Sequence, residues 1–160
     1  MVEVGIILGS ISDKEIGEKC VEMLKKLGID YKITVASAHR TPERLKSIVK
    51  EYEKRGVKVF IGVAGLSAAL PGVIASLTTK PVIGVPTDAA LDGLDALLSM
   101  SQMPTGMPVA TVGVNNGKNA ALLAAEIIAI GDKKVEEKIK DYRNELAVST
   151  ESSAKTLEKV

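Results

Sequence analysis

A short polar segment combines residue types that suit proton transfer and anion binding. The sequence Ser37-Ala38-His39-Arg40-Thr41-Pro42 contains the only histidine among 160 residues. Imidazole is the side chain that ordinarily changes its charge near neutral pH, and a guanidinium binds phosphate through a planar fork. His39 and Arg40 are therefore candidates for a proton-transfer group beside an anion anchor. A surface loop without a function could hold the same pair.

The residues around this segment predict helix starts. Thr41 is a favourable N-cap residue, and Pro42 has the backbone angle of a first helical residue. Earlier in the chain, the spacing of Ser12 and Glu15 predicts a capping box before another helix. Unpaired N–H groups and the helix dipole make such starts favourable for anions.

Elsewhere, apolar runs typical of buried strands alternate with helical segments. The predicted strands are 2–8, 31–36, 57–63, 82–85 and 109–114. The predicted helices are 14–27, 42–54, 71–77, 90–100 and 119–130, the last nearly all apolar. This alternation favours a parallel sheet with helices on both faces.

The composition changes after residue 131 towards lysine and glutamate. Val135, Ile139, Tyr142 and Leu146 form a narrow apolar stripe at helical spacing. We predict an amphipathic helix that docks on this subunit or on a neighbour, with a frayed end from about Ser149.

Polar and glycine-rich segments follow the first three predicted strands, at residues 9–13, 37–41 and 64–67. The carboxyl ends of parallel strands meet at one edge of the sheet, and ligands bind there near the point where the strand order reverses. We therefore expect the three segments to form one ligand site.

Each residue type at this edge indicates a role. Ser10 and Ser12 at a helix start can bind a phosphate that Arg40 clamps. Asp13 can accept ribose hydroxyls, and Gly65 lets the backbone approach a flat ring. Simple helix capping by the serines, a dipole contact by Asp13 and a plain turn at Gly65 are the alternatives.

Composition and absent motifs argue against several classes of protein. A net charge of +1 and 2% aromatic residues disfavour nucleic-acid binding. A single cysteine, Cys20, and the lack of a signal peptide or long apolar run lead us to expect a cytoplasmic, non-membrane protein. Ser37 lies near His39, but no nucleophile elbow surrounds it.

The sequence also lacks a dinucleotide fingerprint, a P-loop and a spacing of histidine and cysteine typical of a transition-metal site. We expect no cofactor and no metal. The chemistry that remains is cofactor-free proton transfer on a phosphorylated small molecule.

Six segments, in order from Val4 to Ala129, share their pattern with a known family. They are Gly9-Ser10-Ile11-Ser12-Asp13, the His39 segment, Leu70-Pro71-Gly72, Pro81-Val82-Ile83-Gly84-Val85-Pro86, Gln102-Met103-Pro104 and Asn119-Ala120-Ala121-Leu122-Leu123-Ala124-Ala125. The sequence resembles the PurE family, the N5-carboxyaminoimidazole ribonucleotide mutases of purine biosynthesis, within the AIR carboxylases.

The resemblance implies a flavodoxin-like three-layer α/β/α fold. With the change in composition, we assign this fold to residues 1–131 and a helical extension of the same domain to residues 132–160. The resemblance further implies an octamer with shared active sites, which moves a carboxylate from N5 to carbon 4 without ATP, metal or organic cofactor. The substrates would be a ribonucleotide monophosphate and the CO2 released from it.

The resemblance also assigns roles to individual residues. It makes His39 the acid and base, and it places Ser10, Asp13 and Arg40 on the ribose phosphate. The loop of Ala64 and Gly65 would border the site that holds CO2.

The chain departs from the family pattern at Ala69, where bacterial mutases carry a second histidine. Direct carboxylases usually have lysine after their histidine, so Arg40 favours a mutase. Two alternatives stay open, namely direct carboxylation of aminoimidazole ribonucleotide by CO2 and a non-catalytic nucleotide-binding domain. His39 argues against the latter, because phosphate binding alone needs no titrating group.

Overall fold

The computed structural model describes residues 2–158, within which five parallel strands form one sheet. The strands are β1 Val4–Leu8, β2 Tyr31–Val35, β3 Val59–Ala64, β4 Val82–Pro86 and β5 Ala110–Thr111. Their order is β2-β1-β3-β4-β5, so the chain reverses its direction of travel across the sheet at β1. This order is the flavodoxin-like one, and the reversal opens a crevice between the carboxyl ends of β1 and β3.

Helices cover both faces of the sheet, which confirms the predicted three-layer α/β/α architecture. They are α1 Lys14–Leu27, α2 Pro42–Lys54, α3 Leu70–Leu77, α4 Leu94–Ser101, α5 Gly117–Ala129 and α6 Lys133–Leu157. Helices α1, α5 and α6 share one apolar core with the sheet. Helices α2, α3 and α4 share the other.

The alternation of side chains along β1 and β3 divides these cores. Ile6 and Ile61 point towards α1 and α5, whereas Ile7 and Phe60 point towards α2 and α3. All four are fully buried. A strand that is buried on both faces has a continuous apolar sequence, and for this reason these strands could be predicted from the sequence.

Local signals placed helices α1 and α2 correctly. Gly28 ends α1 in the left-handed conformation, with φ of 68°. Pro42 is the first residue of α2, as predicted. These boundaries depend on the backbone preferences of single residues, so they can be read without the tertiary structure.

Two predicted elements are cut short by turns of the chain, whereas the other predicted strands and helices up to residue 130 differ from the observed bounds by at most two residues. The predicted helix 90–100 is interrupted, because Asp92 and Gly93 adopt left-handed angles (φ 53° and 81°) and α4 begins only at Leu94. The predicted strand 109–114 pairs with β4 only at Ala110 and Thr111. The chain then turns away through Asn115, which also has positive φ.

Helix α6 packs on the domain with its first half only. Val135 and Ile139 are buried, and Lys138 donates a hydrogen bond of 3.0 Å to the carbonyl of Leu27 at the end of α1. Residues 143–157 are exposed. The predicted fraying from Ser149 is wrong, since α6 continues to Leu157, and residues 159–160 of the predicted extension lie outside the described residues.

None of the helices in the described part of the chain is long and apolar enough to cross a membrane.

Gly117 lets α5 approach α1 closely. A Cβ built on Gly117 would lie 2.5 Å from the carbonyl oxygen of Ile16 and 3.0 Å from Sγ of Cys20. Backbone cannot yield as a flexible side chain can, so Gly117→Ala must push the helices apart. We expect a loss of about 1 to 3 kcal/mol in the free energy of unfolding, measured by urea denaturation.

The matched control is Gly131→Ala, because nothing lies within 4 Å of the Cβ position there. This variant should stay within about 0.5 kcal/mol of the wild type. Equal stability of the two variants would contradict the proposed contact between α5 and α1.

Candidate active site

A cleft of about 510 Å³ lies at the carboxyl edge of the sheet. The loops after β1, β2, β3 and β4 line it, so it spans the reversal of strand order. Every residue that the sequence analysis selected lines this cleft: Ser10, Ser12, Asp13, Ser37, His39, Arg40, Ala64 and Gly65. The structure thus brings the three predicted segments together.

The loop after β1 is closed by a capping box, but not by the predicted one. The Ser10 N–H donates a hydrogen bond of 3.0 Å to Oδ2 of Asp13, and the Ser12 N–H donates one of 3.3 Å to Oγ of Ser10. The predicted pair of Ser12 and Glu15 is therefore replaced by Ser10 and Asp13. A single turn of 3-10 helix, Ile11–Asp13, precedes α1 and shifts the cap by two residues.

Burial changes the acidity of Asp13, whose side chain is 8% exposed. Desolvation raises the pKa of this carboxyl above its ordinary 3.8, and hydrogen bonds from the Ser10 N–H and the Ser12 hydroxyl partly oppose the rise. A carboxylate offers about four acceptor positions, so the bond to Ser10 leaves capacity for the hydroxyls of a ligand.

The loop after β2 is tied back on itself by Thr41. The Thr41 hydroxyl accepts a hydrogen bond of 2.9 Å from the Ser37 N–H and donates one of 3.2 Å to the Ser37 carbonyl. Thr41 occupies the N-cap position, but its side chain caps no amide of α2. Its hydroxyl closes the loop that carries His39 and Arg40.

Arg40 joins the loops after β1 and β2. The Ser37 hydroxyl oxygen accepts hydrogen bonds from the Arg40 N–H at 3.1 Å and from Nε at 3.4 Å. The Arg40 Nη2 donates to the Gly9 carbonyl at 3.5 Å. The two guanidinium bonds are long, so an anion could replace them, and Ser37 orients the guanidinium.

His39 lies at the tip of the loop after β2 and is exposed. Its ring forms no hydrogen bond or ion pair with any residue between 2 and 158. The imidazole is therefore free to exchange a proton with a ligand in the cleft.

Small apolar side chains form the rest of the wall. Ala38, Ala64, Ala68, Ala69 and Ala89 all line the cleft. Methyl groups bind neither protons nor ions, so they favour a small neutral molecule over water.

Sequence reasoning missed the contribution of β4. Thr87 and Ala89 line the cleft directly after this strand, and Thr87 is 5% exposed. The rule that located the other segments, polar residues at the carboxyl end of a parallel strand, also applies to Thr87.

Cys20 is not a candidate nucleophile. It is fully buried on α1, and desolvation raises the pKa of its thiol to about 12. No group of three or more His, Cys, Asp or Glu side chains able to hold a metal occurs in the part of the chain that the structure describes.

The raised pKa of Asp13 predicts a pH effect on stability. The ionised carboxyl opposes folding, so its favourable contribution exists below pH 3.8 and is lost as the pH rises through the higher pKa of the folded state. Asp13→Asn keeps an acceptor for the Ser10 N–H without the charge. We expect the melting temperature of the variant, relative to wild type, to rise across this pH interval.

Thermal unfolding of both proteins at a series of pH values measures this difference. A variant that loses stability relative to wild type as the pH rises would show that the ionised form of Asp13 is favoured in the fold.

Comparison with known proteins agrees with the fold. The crystal structure of Treponema denticola PurE superposes on this chain with a TM-score of 0.86 at 36% identity, covering 98% of this chain and 99% of that one. The N5-carboxyaminoimidazole ribonucleotide mutase of Methanocaldococcus jannaschii is 57% identical over 141 residues, 88% of each protein.

The N5-carboxyaminoimidazole ribonucleotide mutase of Thermotoga maritima is 47% identical over 161 residues, covering 100% of this chain and 94% of the relative. The family model described as AIR carboxylase matches residues 3–149. On this match, which spans the whole sheet and its loops, the chain belongs to the AIR carboxylase family.

Proposed function

We propose that this protein is an N5-carboxyaminoimidazole ribonucleotide mutase of purine biosynthesis. It moves the carboxylate from N5 of its substrate to carbon 4 of the imidazole. The observation that carries the proposal is the free His39 ring beside Arg40 at the mouth of a cleft with small apolar walls. The names of the relatives from M. jannaschii and T. maritima support the same reaction.

Substrate binding follows from the charges of the loops. Arg40 and the N–H groups at the start of α1, with Ser10 and Ser12, hold the phosphate. Asp13 accepts hydrogen bonds from the ribose hydroxyls. This arrangement leaves the imidazole ring above Gly65 and Ala64, where the absence of large side chains permits a close approach.

During the reaction one proton moves from the protein to the substrate, and one proton moves back from the substrate to the protein. The bond between N5 and the carboxylate carbon breaks, its electron pair stays on N5, and N5 takes a proton from the His39 imidazolium. Carbon 4 then attacks the released CO2 and forms the new carbon–carbon bond. The neutral imidazole of His39 removes the proton from carbon 4, which restores the aromatic ring and regenerates the imidazolium.

The walls of the cleft keep the two reactants together between these steps. Holding CO2 beside carbon 4 replaces an encounter in solution by a reaction within one complex. The alanine side chains form no hydrogen bonds that would trap the CO2.

Turnover of two substrates tests the activity. Purified protein receives N5-carboxyaminoimidazole ribonucleotide, or aminoimidazole ribonucleotide with bicarbonate, and ultraviolet absorbance follows the carbon 4 carboxylate. We expect a clear preference for the first substrate. Preference for the second would indicate a direct carboxylase, and no product from either would indicate a nucleotide-binding domain.

His39→Asn removes the proton carrier and leaves the phosphate contacts in place. We expect turnover to fall by at least about 100-fold, the lower range for loss of a general acid–base group. Thermal stabilisation by a ribonucleotide monophosphate serves as the control and should equal that of the wild type. Full turnover by a folded His39→Asn variant would exclude the proposed proton shuttle.

Assembly into a homo-octamer with shared sites, in the cytoplasm, is part of this proposal. Residues 1–131 would carry the chemistry and residues 132–160 would form a docking extension. The support is an apolar stripe on and before α4, where Leu91, Leu94 and Leu98 are 75%, 54% and 46% exposed. On the same helix, Oδ1 of Asp95 is buried without a hydrogen-bond partner.

A paired substitution tests this stripe. Leu94→Ser with Leu98→Ser should shift the protein from an octamer to smaller species in light scattering after gel filtration, because burial of these side chains supports the interface. Ile130→Ser, at a site that is 88% exposed away from α4, is the matched control and should stay octameric. An octamer that tolerates the paired change would exclude α4 as an interface.

A further inference from the structure

Thr87 is a buried residue whose hydroxyl reaches the cleft without a partner among residues 2–158. Leaving Tyr52 and Cys20 aside, Asp13 and Thr87 are the only polar residues among residues 2–158 that are buried as whole residues, and both line the cleft. Asp13 accepts the Ser10 N–H, but the Thr87 side chain forms no hydrogen bond with any described residue. The backbone of Thr87 is held in the fold while its hydroxyl keeps its donor and acceptor capacity for the cleft, which indicates a ligand contact.

The surroundings of Thr87 fix its hydroxyl and leave it accessible. The Thr87 N–H donates a hydrogen bond of 3.0 Å to the Ala64 carbonyl, which ties the loop after β4 to the end of β3. A Cβ built on Gly65 would lie 2.3 Å from Oγ1 of Thr87 and 3.0 Å from Cβ of Ala89. Any side chain at position 65 would therefore cover the hydroxyl, and glycine leaves it open.

The two ends of the cleft differ in polarity. At the end formed by β2 and β1 lie Arg40 and the cap of Ser10 and Asp13. The other end is formed by β3 and β4, which lie roughly 10 Å and 14 Å from β2, two and three strand spacings away. It is lined by Ala64, Ala68, Leu70 and Ala89, and Thr87 is its only polar residue within the described chain that is buried as a whole residue.

This polarity selects the part of the substrate that Thr87 contacts. A doubly charged phosphate needs cations and several donors, which only the Arg40 end supplies. A chamber rich in methyl groups, whose polar side chains Thr87 and Ser67 are neutral, suits a group that is anionic in the substrate and product but neutral as CO2 between them. The migrating carboxylate is that group.

We propose that Thr87 is a further substrate-contacting residue, whose hydroxyl donates a hydrogen bond to an oxygen of the migrating carboxylate. This inference rests on the proposed mutase activity. The bond orients the carboxylate on N5, and after cleavage it keeps the CO2 beside carbon 4. It changes no covalent bond and no proton count, because Thr87 keeps its proton throughout.

Thr87→Val tests this role, because it removes the hydroxyl with little change in volume and keeps the backbone bond to Ala64. We expect kcat to fall about 10- to 100-fold while KM changes less than about twofold. A larger share of the substrate should end as free aminoimidazole ribonucleotide. Isotopically labelled bicarbonate in the medium should enter the product to a greater extent than with wild type.

Two further variants complete the experiment. Thr87→Ser keeps a hydroxyl and should restore most of the lost kcat. Thr111→Val removes a threonine hydroxyl that is buried and unpartnered on β5, outside the cleft, and should leave turnover and label uptake unchanged.

The outcomes separate this inference from the mutase proposal. Failure of the wild type to convert N5-carboxyaminoimidazole ribonucleotide contradicts the mutase proposal itself. An active wild type with an equally active Thr87→Val, a raised KM alone, unchanged label uptake, or no rescue by Thr87→Ser overturns the inference about Thr87.

Discussion

The backbone pairing of parallel strands at one edge of the sheet is the constraint on which the site depends. The backbone pairing continues past the ends of the strands. The Gly9 N–H donates to the Val63 carbonyl, and the Ala36 N–H donates to the Leu8 carbonyl, each at 2.9 Å. Together with the bond from Thr87 to Ala64, these contacts fix where each loop leaves the sheet. The loops need little ordering of their own, because their first residues are already held.

Backbone strain is concentrated at the same edge. The non-glycine residues with positive φ among residues 2–158 are Leu66, Leu91, Asp92 and Asn115, and each lies in a loop that follows β3, β4 or β5. A positive φ at a non-glycine residue costs of order 1 to 3 kcal/mol, so packing of the two aliphatic cores must hold these residues in place. The cores contain few rings, but their packing on both faces of β1 and β3 is complete.

The sequence was informative where a residue acts through its own backbone or through periodicity. Gly28 and Pro42 set helix ends, and the strand-end rule located three of the four loops of the cleft. The sequence was misleading where two residue pairs could each form the same helix cap. Ser10 with Asp13 and Ser12 with Glu15 have the same spacing, and only the 3-10 turn that follows β1 selects the first pair.

Thr87 was missed for a different reason, because threonine is common in strands and loops and its type alone predicts no chemistry. Its significance arises from burial and from the open space above Gly65, both of which are tertiary properties. The left-handed angles at Asp92 and Gly93 are likewise tertiary, since the apolar spacing around them is helical. The local sequence pattern therefore predicts which segments meet, and tertiary packing decides which of their polar atoms have no partner in the protein.

The proposed chemistry places opposite demands on the two ends of the cleft. His39 must move between N5 and carbon 4, which its exposed and unpaired position permits, yet CO2 must stay away from bulk water during that interval. Within residues 2–158, nothing covers His39 and Arg40. A single chain therefore meets the first demand and not the second. A second copy of the chain is the source of cover that the proposed octamer supplies, and the same assembly would bury the apolar stripe of α4. On this argument the proposed oligomerisation would be part of catalysis, since it would convert an open binding cleft into a chamber that retains CO2.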